Sequence, residues 1–331
     1  MDNFLNNNMY SDVDKFYLRS ILNLLIGTGQ MAVEYAKVLT HLNAEFLVIG
    51  RGHESAMNFT KITGKKVENM KINEIIYFNS GIDKAIVCVD ITQSFCVVSD
   101  LIKAGVKTIL LEKPGALSLQ DLNNLYYLSN LKGAKVLIAY NRRFYESVQN
   151  LKRIANQDGG ILELKFDFSE RIHEVEKLVS PEIVKNNWVI ANSSHIIDLA
   201  FFLIGQPKIL NTISSGRTTW HPTSALFNGH GVSVKGITFE YCADWTKSGN
   251  WRIEAFTKNI LLVLQPIETL EYFDLKSNKL LNKVNYEDIG FKPGIRKQTQ
   301  AFINEDTENF LTLEDQIVQF KFINKIANYI D

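Results

Sequence analysis

Cysteine is scarce in this chain: three residues in 331, at positions 88, 96 and 242. They form no CxxC pair and no metal-ligand spacing. Their apolar neighbours mark them as reduced, buried thiols, so neither a disulfide framework nor a metal site is expected. Net charge is absent as well. Thirty-six basic residues balance thirty-six acidic ones, so no polyanionic partner is announced and nucleic acid is not an expected ligand. Long apolar runs are missing too: none approaches the roughly 20 residues that span a bilayer, and no membrane association is expected. The first twenty residues lack the apolar stretch of a secretory signal, which predicts a cytoplasmic protein. No internal repeat or low-complexity tract is visible.

What is there is ordinary globular material, 46% hydrophobic, in a chain too long for one typical core. The pattern divides it in three: an Asn- and Asp-rich extension over 1–20, a first domain over 21–140, and a second over 141–331. In the first domain, short apolar runs at 22–26, 45–49, 85–89, 108–111 and 135–139 alternate with amphipathic stretches such as 95–104 and 119–130. That alternation predicts βαβ units and a doubly wound parallel sheet covered on both faces. Beyond Gly159 the strand candidates (161–169, 208–215, 232–242, 251–257, 260–264 and 269–275) are closely spaced and alternate apolar with polar. They predict a large open mixed or antiparallel sheet with one face exposed, in an α/β domain. Helices are expected over 192–204, 295–303 and 312–329, the last opened by the capping-box-like Thr312-Leu-Glu-Asp315.

Three short words carry the chemistry. Gly27-Thr-Gly29-Gln-Met-Ala32 closes an apolar run and opens a helical one, so free backbone N–H groups collect at the positive end of a helix dipole, where a pyrophosphate can sit. About twenty residues on, where a carboxylate for the ribose hydroxyls of NAD is usual, stands Gly50-Arg51. The missing carboxylate and the guanidinium fork favour NADP, with NAD as the alternative. Glu112-Lys113-Pro114 ends another buried strand with an ammonium. His195-Ile-Ile-Asp198 sets an imidazole and a carboxylate one helical turn apart, on one face of a helix. An ammonium beside a reacting oxygen stabilises alkoxide character while hydride leaves carbon, and an imidazole can exchange the hydroxyl proton.

In this order the words, joined by Ala139-Tyr-Asn141-Arg142-Arg143-Phe144 and Asn192-Ser-Ser-His195, resemble the glucose–fructose oxidoreductase/inositol dehydrogenase/MocA family. The resemblance implies a Rossmann domain followed by a domain on a large open sheet, association through that sheet's outer face, and a homo-oligomer. It implies a dehydrogenase or reductase acting on a small sugar-type carbinol or ketone, with nucleotide sugars of surface-glycan synthesis within the family's range. Lys113 and His195 become the catalytic pair, with a cis bond from Lys113 to Pro114. Asn141, Arg142, Asn192 and Asp198 become substrate contacts, and Gly27, Gly29, Gln30, Met31, Arg51, Asp90 and Glu112 cofactor contacts. Two positions depart from the family. Ala191 stands where many members carry an Asp four residues before the histidine, and Asp90-Ile91 replaces a Thr-Pro. The alternative is a catalytically silent sensor or scaffold that keeps the cofactor site.

Overall fold

The computed structural model describes residues 22–78, 81–247 and 249–329; the extension expected over 1–20 lies outside them. Six short strands, β1 (Leu22–Ile26), β2 (Phe46–Ile49), β3 (Val67–Glu68), β4 (Ile82–Val87), β5 (Thr108–Glu112) and β6 (Lys135–Ala139), form a parallel sheet in the order 3-2-1-4-5-6. Their apolar runs are continuous because both faces are covered: Leu24, Leu25, Ala85, Ile86, Ile109 and Leu110 are wholly buried. Strand order reverses beside β1, and ligands of open α/β sheets bind at that crevice, outside the carboxyl ends of the strands. The helix expected over 95–104 begins earlier, at Ile91, because the Asp90 side chain caps it by accepting from the Thr92 N–H at 2.9 Å.

The second sheet is built from β7 (Glu163–Asp167), β8 (Pro207–Ser215), β9 (Leu226–Ser233), β10 (Thr238–Asp244), β11 (Arg252–Phe256), β12 (Ile260–Leu264), β13 (Thr269–Asp274) and β14 (Leu280–Asn285), in the order 14-13-12-11-7-10-9-8. Only β7 and β10 run parallel; the other pairs are antiparallel. Burial alternates along β7 and β11, and the inner face carries Phe166, which stacks on Tyr241 with centroids 5.4 Å apart. The single strand expected over 232–242 is instead a hairpin, with β9 and β10 turning through Lys235-Gly236, where Gly236 takes φ +78°. The thiols also need correction: Cys88 is buried, but Cys96 and Cys242 are exposed, one on the solvent side of a helix and one on the outward face of β10.

After residue 290 the chain returns to the first sheet. Helix Ile295–Ile303 packs on helix Gln30–His41, and a two-residue strand, β15 (Leu311–Thr312), adds antiparallel to β6. Thr312 then caps helix Leu313–Ala327 through its hydroxyl, which accepts from the Asp315 N–H at 3.1 Å. Among the described residues no helix is long and apolar enough to cross a membrane.

Candidate active site

The β1 turn holds its two glycines for different reasons. Gly27 has φ +115°, and a Cβ there would lie 2.2 Å from the Cys88 carbonyl oxygen, so β1 and the end of β4 can approach only through glycine. Gly29 has φ −78°, which any residue adopts, and nothing stands within 4 Å of where its Cβ would point. It is the N-cap of helix Gln30–His41 and no side chain caps that end, which leaves backbone donors facing open space. A glycine that the protein's own packing does not require, at an uncapped helix N-terminus, fits a dinucleotide phosphate. Beside it a cavity of about 810 Å³ runs along the ends of β1, β2 and β4, lined by Gly27, Gly50, Arg51, Lys71, Val89 and Lys103 among others. A Cβ on Gly50 would come within 2.5 Å of Thr28 Cγ2, so a carboxylate side chain cannot be seated there without displacing Thr28. Arg51 donates to Gln93 Oε1 at 3.1 Å.

The remaining cofactor candidates are placed as follows. Gln30 and Met31 form the first turn of that helix. The Asp90 carboxylate is occupied at its own cap, by the Thr92 amide and hydroxyl. Glu112 is turned inward and accepts from the Tyr35 hydroxyl at 2.8 Å; burial raises its pKa, against the pull of Tyr35, Lys113 and Lys292.

Lys113 follows at the end of β5, on a cis bond to Pro114. Its Nζ donates to the Ala191 carbonyl at 2.6 Å. Burial lowers its pKa to about 8; the Glu112 and Glu170 carboxylates oppose that fall, while the Arg142 and Lys292 cations add to it. Ala191 lies in a π-helical turn, Val189–Ser193, that leads into helix Ser194–Ile204. Such turns widen a helix locally and recur at functional sites. Here one turn touches everything: its Ala191 carbonyl receives Lys113, and its Asn192 and Ser193 side chains donate to Glu170 at 3.1 and 2.6 Å.

His195 comes next along that helix. It is 8% exposed, edge-on to Tyr140 at 5.9 Å and 6.1 Å from Trp251. Burial drives its pKa well below the usual value, and the Arg142, Lys113 and Lys292 charges push the same way. At neutral pH it is a neutral ring, and its Nδ1 has no partner among the described residues. Arg142 stacks its guanidinium 4.6 Å from the Trp251 ring. A second cavity of about 680 Å³ opens here, lined by Arg142, Glu170, Trp188, Asn192, Trp251 and Glu268 among others. Lys113 and His195 stand just behind this lining: Lys113 bonds Ala191, the residue before Asn192, and His195 lies against Trp251.

Two of the expected substrate contacts lie elsewhere. Asp198 is fully buried, and both its oxygens are taken by Arg143, at 2.9 and 2.7 Å; this is a structural ion pair behind the site. Asn141 donates to the Pro293 carbonyl at 3.0 Å and so ties β6 to the C-terminal segment. Sequence reading missed Glu170 altogether. It is 5% exposed and lines the cavity, and burial raises its pKa against the hydrogen bonds of Ser193 and Asn192. It follows β7 with no motif around it, and its donors are more than twenty residues away in the chain. Lys292, whose charge reaches Glu112, Lys113 and His195, was missed for the same reason.

No curated protein matches the chain. Among solved structures, UDP-N-acetylglucosamine 3-dehydrogenase from Acidithiobacillus ferrooxidans is similar, with TM-score 0.72, 13% identity, and 93% of this chain covering 97% of that one. An oxidoreductase from Agrobacterium radiobacter, solved with NAD+, L-tartaric acid and magnesium, gives TM-score 0.75, 13% identity, and 94% of this chain against 97% of that one. A super-repressor mutant of Gal80p from Saccharomyces cerevisiae gives 0.73 and 14%, with 93% of this chain against 95% of that one. At these identities the likeness establishes the fold. Residues 21–140 match the model of the Gfo/Idh/MocA oxidoreductase family, with its NAD-binding Rossmann fold.

Proposed function

We propose that the protein is an NAD(P)-dependent dehydrogenase or reductase that exchanges a hydride with a carbinol or ketone of a sugar or nucleotide sugar. The observation that carries the reading is the π-helical turn Val189–Ser193, which gathers Lys113, Glu170 and the approach to His195 beside one cavity. The residues of the β1 turn, Gly27 to Met31, would hold the pyrophosphate. When bound there, a nicotinamide supplies the carbon that accepts or returns hydride. Lys113, with its pKa lowered to about 8, donates a hydrogen bond to the reacting oxygen and stabilises negative charge on it. His195, held neutral, hydrogen-bonds the substrate rather than carrying a positive charge. Glu170 takes the hydroxyl proton during oxidation and returns it in reduction, the task that the residue at Ala191 cannot perform. Arg142, on its Trp251 platform, and Asn192 orient the substrate.

NADP is the preferred cofactor in this reading. Gly50 has no room for the ribose-binding carboxylate, and Arg51 lines the same cavity. UDP-N-acetylglucosamine, the substrate named for one protein of the same fold, makes a nucleotide sugar of surface-glycan synthesis a reasonable first probe. A homo-oligomer formed through the outer face of the second sheet, where Ile213 is 69% exposed, belongs to the same reading; light scattering that gives a monomer at all concentrations would remove it.

A second reading, a cofactor-binding sensor or scaffold without turnover, is favoured by Ala191. One experiment separates the two. The purified protein is mixed with NADP+ or NAD+ and a panel of hexoses, hexose acids and UDP-sugars, and reduced nicotinamide is followed by absorbance. Turnover with any member supports the dehydrogenase; tight cofactor binding with none selects the sensor.

A further inference from the structure

We propose that Lys292 is a cofactor clamp: its ammonium, brought in by the C-terminal segment, binds the dinucleotide pyrophosphate over the N-terminus of helix Gln30–His41. The proposal rests on the dinucleotide reading above. Among the described residues the only hydrogen-bond partner of Lys292 Nζ is the Met31 thioether, at 3.0 Å, and no carboxylate lies within ion-pair distance. An ammonium offers three donors and a thioether is a weak acceptor, so this cation stands largely unsatisfied. Met31 is the second residue of the helix whose N-cap, Gly29, has no side-chain cap and faces open space. A full positive charge and the helix's free N–H groups thus converge on one point, where the partial charge of the dipole is also positive. A ligand phosphate satisfies both.

The segment that carries Lys292 is fixed. The next residue, Pro293, gives its carbonyl to Asn141 Nδ2 at 3.0 Å. Gly294 has φ +76°, and a Cβ there would lie 2.3 Å from the Asn141 carbonyl oxygen, so only glycine lets the loop close this tightly against the end of β6. Asn141, placed by sequence reading among the substrate contacts, becomes the positioning residue for this loop. The charge also reaches inward, adding to the cations that hold down the pKa values of Lys113 and His195. Cofactor phosphates that neutralise Lys292 therefore ease the protonation of Lys113.

The test is an equilibrium titration of wild type, Lys292→Ala, Lys292→Arg and Lys292→Glu with NADH and with NADPH, read by nicotinamide fluorescence at low and high salt. Lys292→Ala is expected to weaken both cofactors by the same factor, roughly twofold to tenfold, the range of an exposed charge pair. Lys292→Glu weakens both further, Lys292→Arg restores them, and the differences shrink as salt screens the charge. The thermal midpoint of the cofactor-free protein stays unchanged, because the side chain is exposed and among the described residues holds only a thioether. Equal affinities of wild type and Lys292→Ala overturn the clamp while leaving the dinucleotide site standing. A loss confined to NADPH also overturns it, since the ammonium would then lie at the 2′-phosphate. A wild type that binds neither cofactor overturns the dinucleotide reading and the clamp together.

Discussion

The two cavities are built on opposite plans. The one at the β1 turn adjoins a cradle of backbone: a glycine forced by a close approach, a second glycine opposite empty space, and an uncapped helix end. The one above the second sheet is made of side chains drawn from separated segments: Glu170 after β7, Asn192 in the π-helical turn, Arg142 after β6, and Trp251 before β11. A backbone cradle tolerates substitution of its walls as long as the turn survives. A side-chain site fails at one atom. Damage to the second cavity should therefore abolish chemistry and leave cofactor binding intact, whereas damage to the first should weaken cofactor binding itself.

The largest effect is expected at Lys113. In the proposed mechanism Lys113→Ala removes the ammonium that would bond the reacting oxygen, and loss of such a donor in an enclosed site typically costs about 10²–10³ in rate. Nicotinamide fluorescence should report NADPH affinity changed by no more than about twofold, the scale of a remote contact. If both quantities fall together, Lys113 belongs to the cofactor site and the division between the cavities is lost.

Glu170→Gln follows, at roughly 10² in turnover, the lower part of the range for general acid–base help. The variant keeps the shape and one acceptor oxygen, so substrate affinity should hold while kcat falls. Its pH signature has a definite sign. Burial raises the carboxyl pKa, so oxidation by wild type rises as pH climbs through that raised value, and this limb should vanish in the variant. Stability runs the other way. A carboxyl whose folded pKa exceeds its unfolded one contributes most below the unfolded value and loses that contribution as pH rises through the folded one. Glu170→Gln should therefore gain thermal stability relative to wild type at pH 8 and little at pH 4. An unchanged acid limb would return the proton to Lys113 or His195.

The glycines give a smaller but cleaner contrast. In Gly29→Asp the new Cβ meets no atom within 4 Å and the backbone angle is an ordinary one, so the cofactor-free protein should melt at least as high as wild type does. It should lose about tenfold or more in affinity for NADH and NADPH alike, because a carboxylate then faces the phosphates. Gly27→Ala should behave oppositely, with a stability loss of about 1–3 kcal/mol from strain at its positive φ and more from the contact with the Cys88 carbonyl. Calorimetry and titration on the same samples would decide it.

The same difference in construction explains what could be read from sequence. A backbone cradle is contiguous in the chain, so Gly27-Thr-Gly29 and the strand before it announce themselves. Parallel strands buried on both faces show as unbroken apolar runs, and the first sheet was legible for that reason. Lys113 was legible because a lysine ending a buried strand is unusual. Glu170 and Lys292 were not, since each gains meaning only when strands and helices distant in sequence meet. Asp198 misled through its spacing: i+3 from His195 sets both on one side of the helix, but its buried carboxylate is taken up by Arg143. The hairpin of β9 and β10 was hidden because Lys235-Gly236 interrupts an otherwise continuous alternation.

The smallest expected effect concerns the far end of the backbone cradle, where a side chain does decide something. Arg51 lines the cavity beyond Gly50, and among the described residues its hydrogen bond is to Gln93. That bond is to a neutral amide at an exposed position, so breaking it costs the folded protein little. A 2′-phosphate would give the guanidinium an anionic partner with matching fork geometry. Arg51→Ala should therefore weaken NADPH by about three- to tenfold, the range of a partly solvated charge pair, and leave NADH almost unchanged. Adding salt should narrow the gap between wild type and variant for NADPH alone. The comparison with Lys292→Ala is the sharper control, because that substitution is expected to weaken both cofactors equally. If Arg51→Ala also weakens both equally, neither cation reads the ribose, and NAD becomes the better assignment for this site.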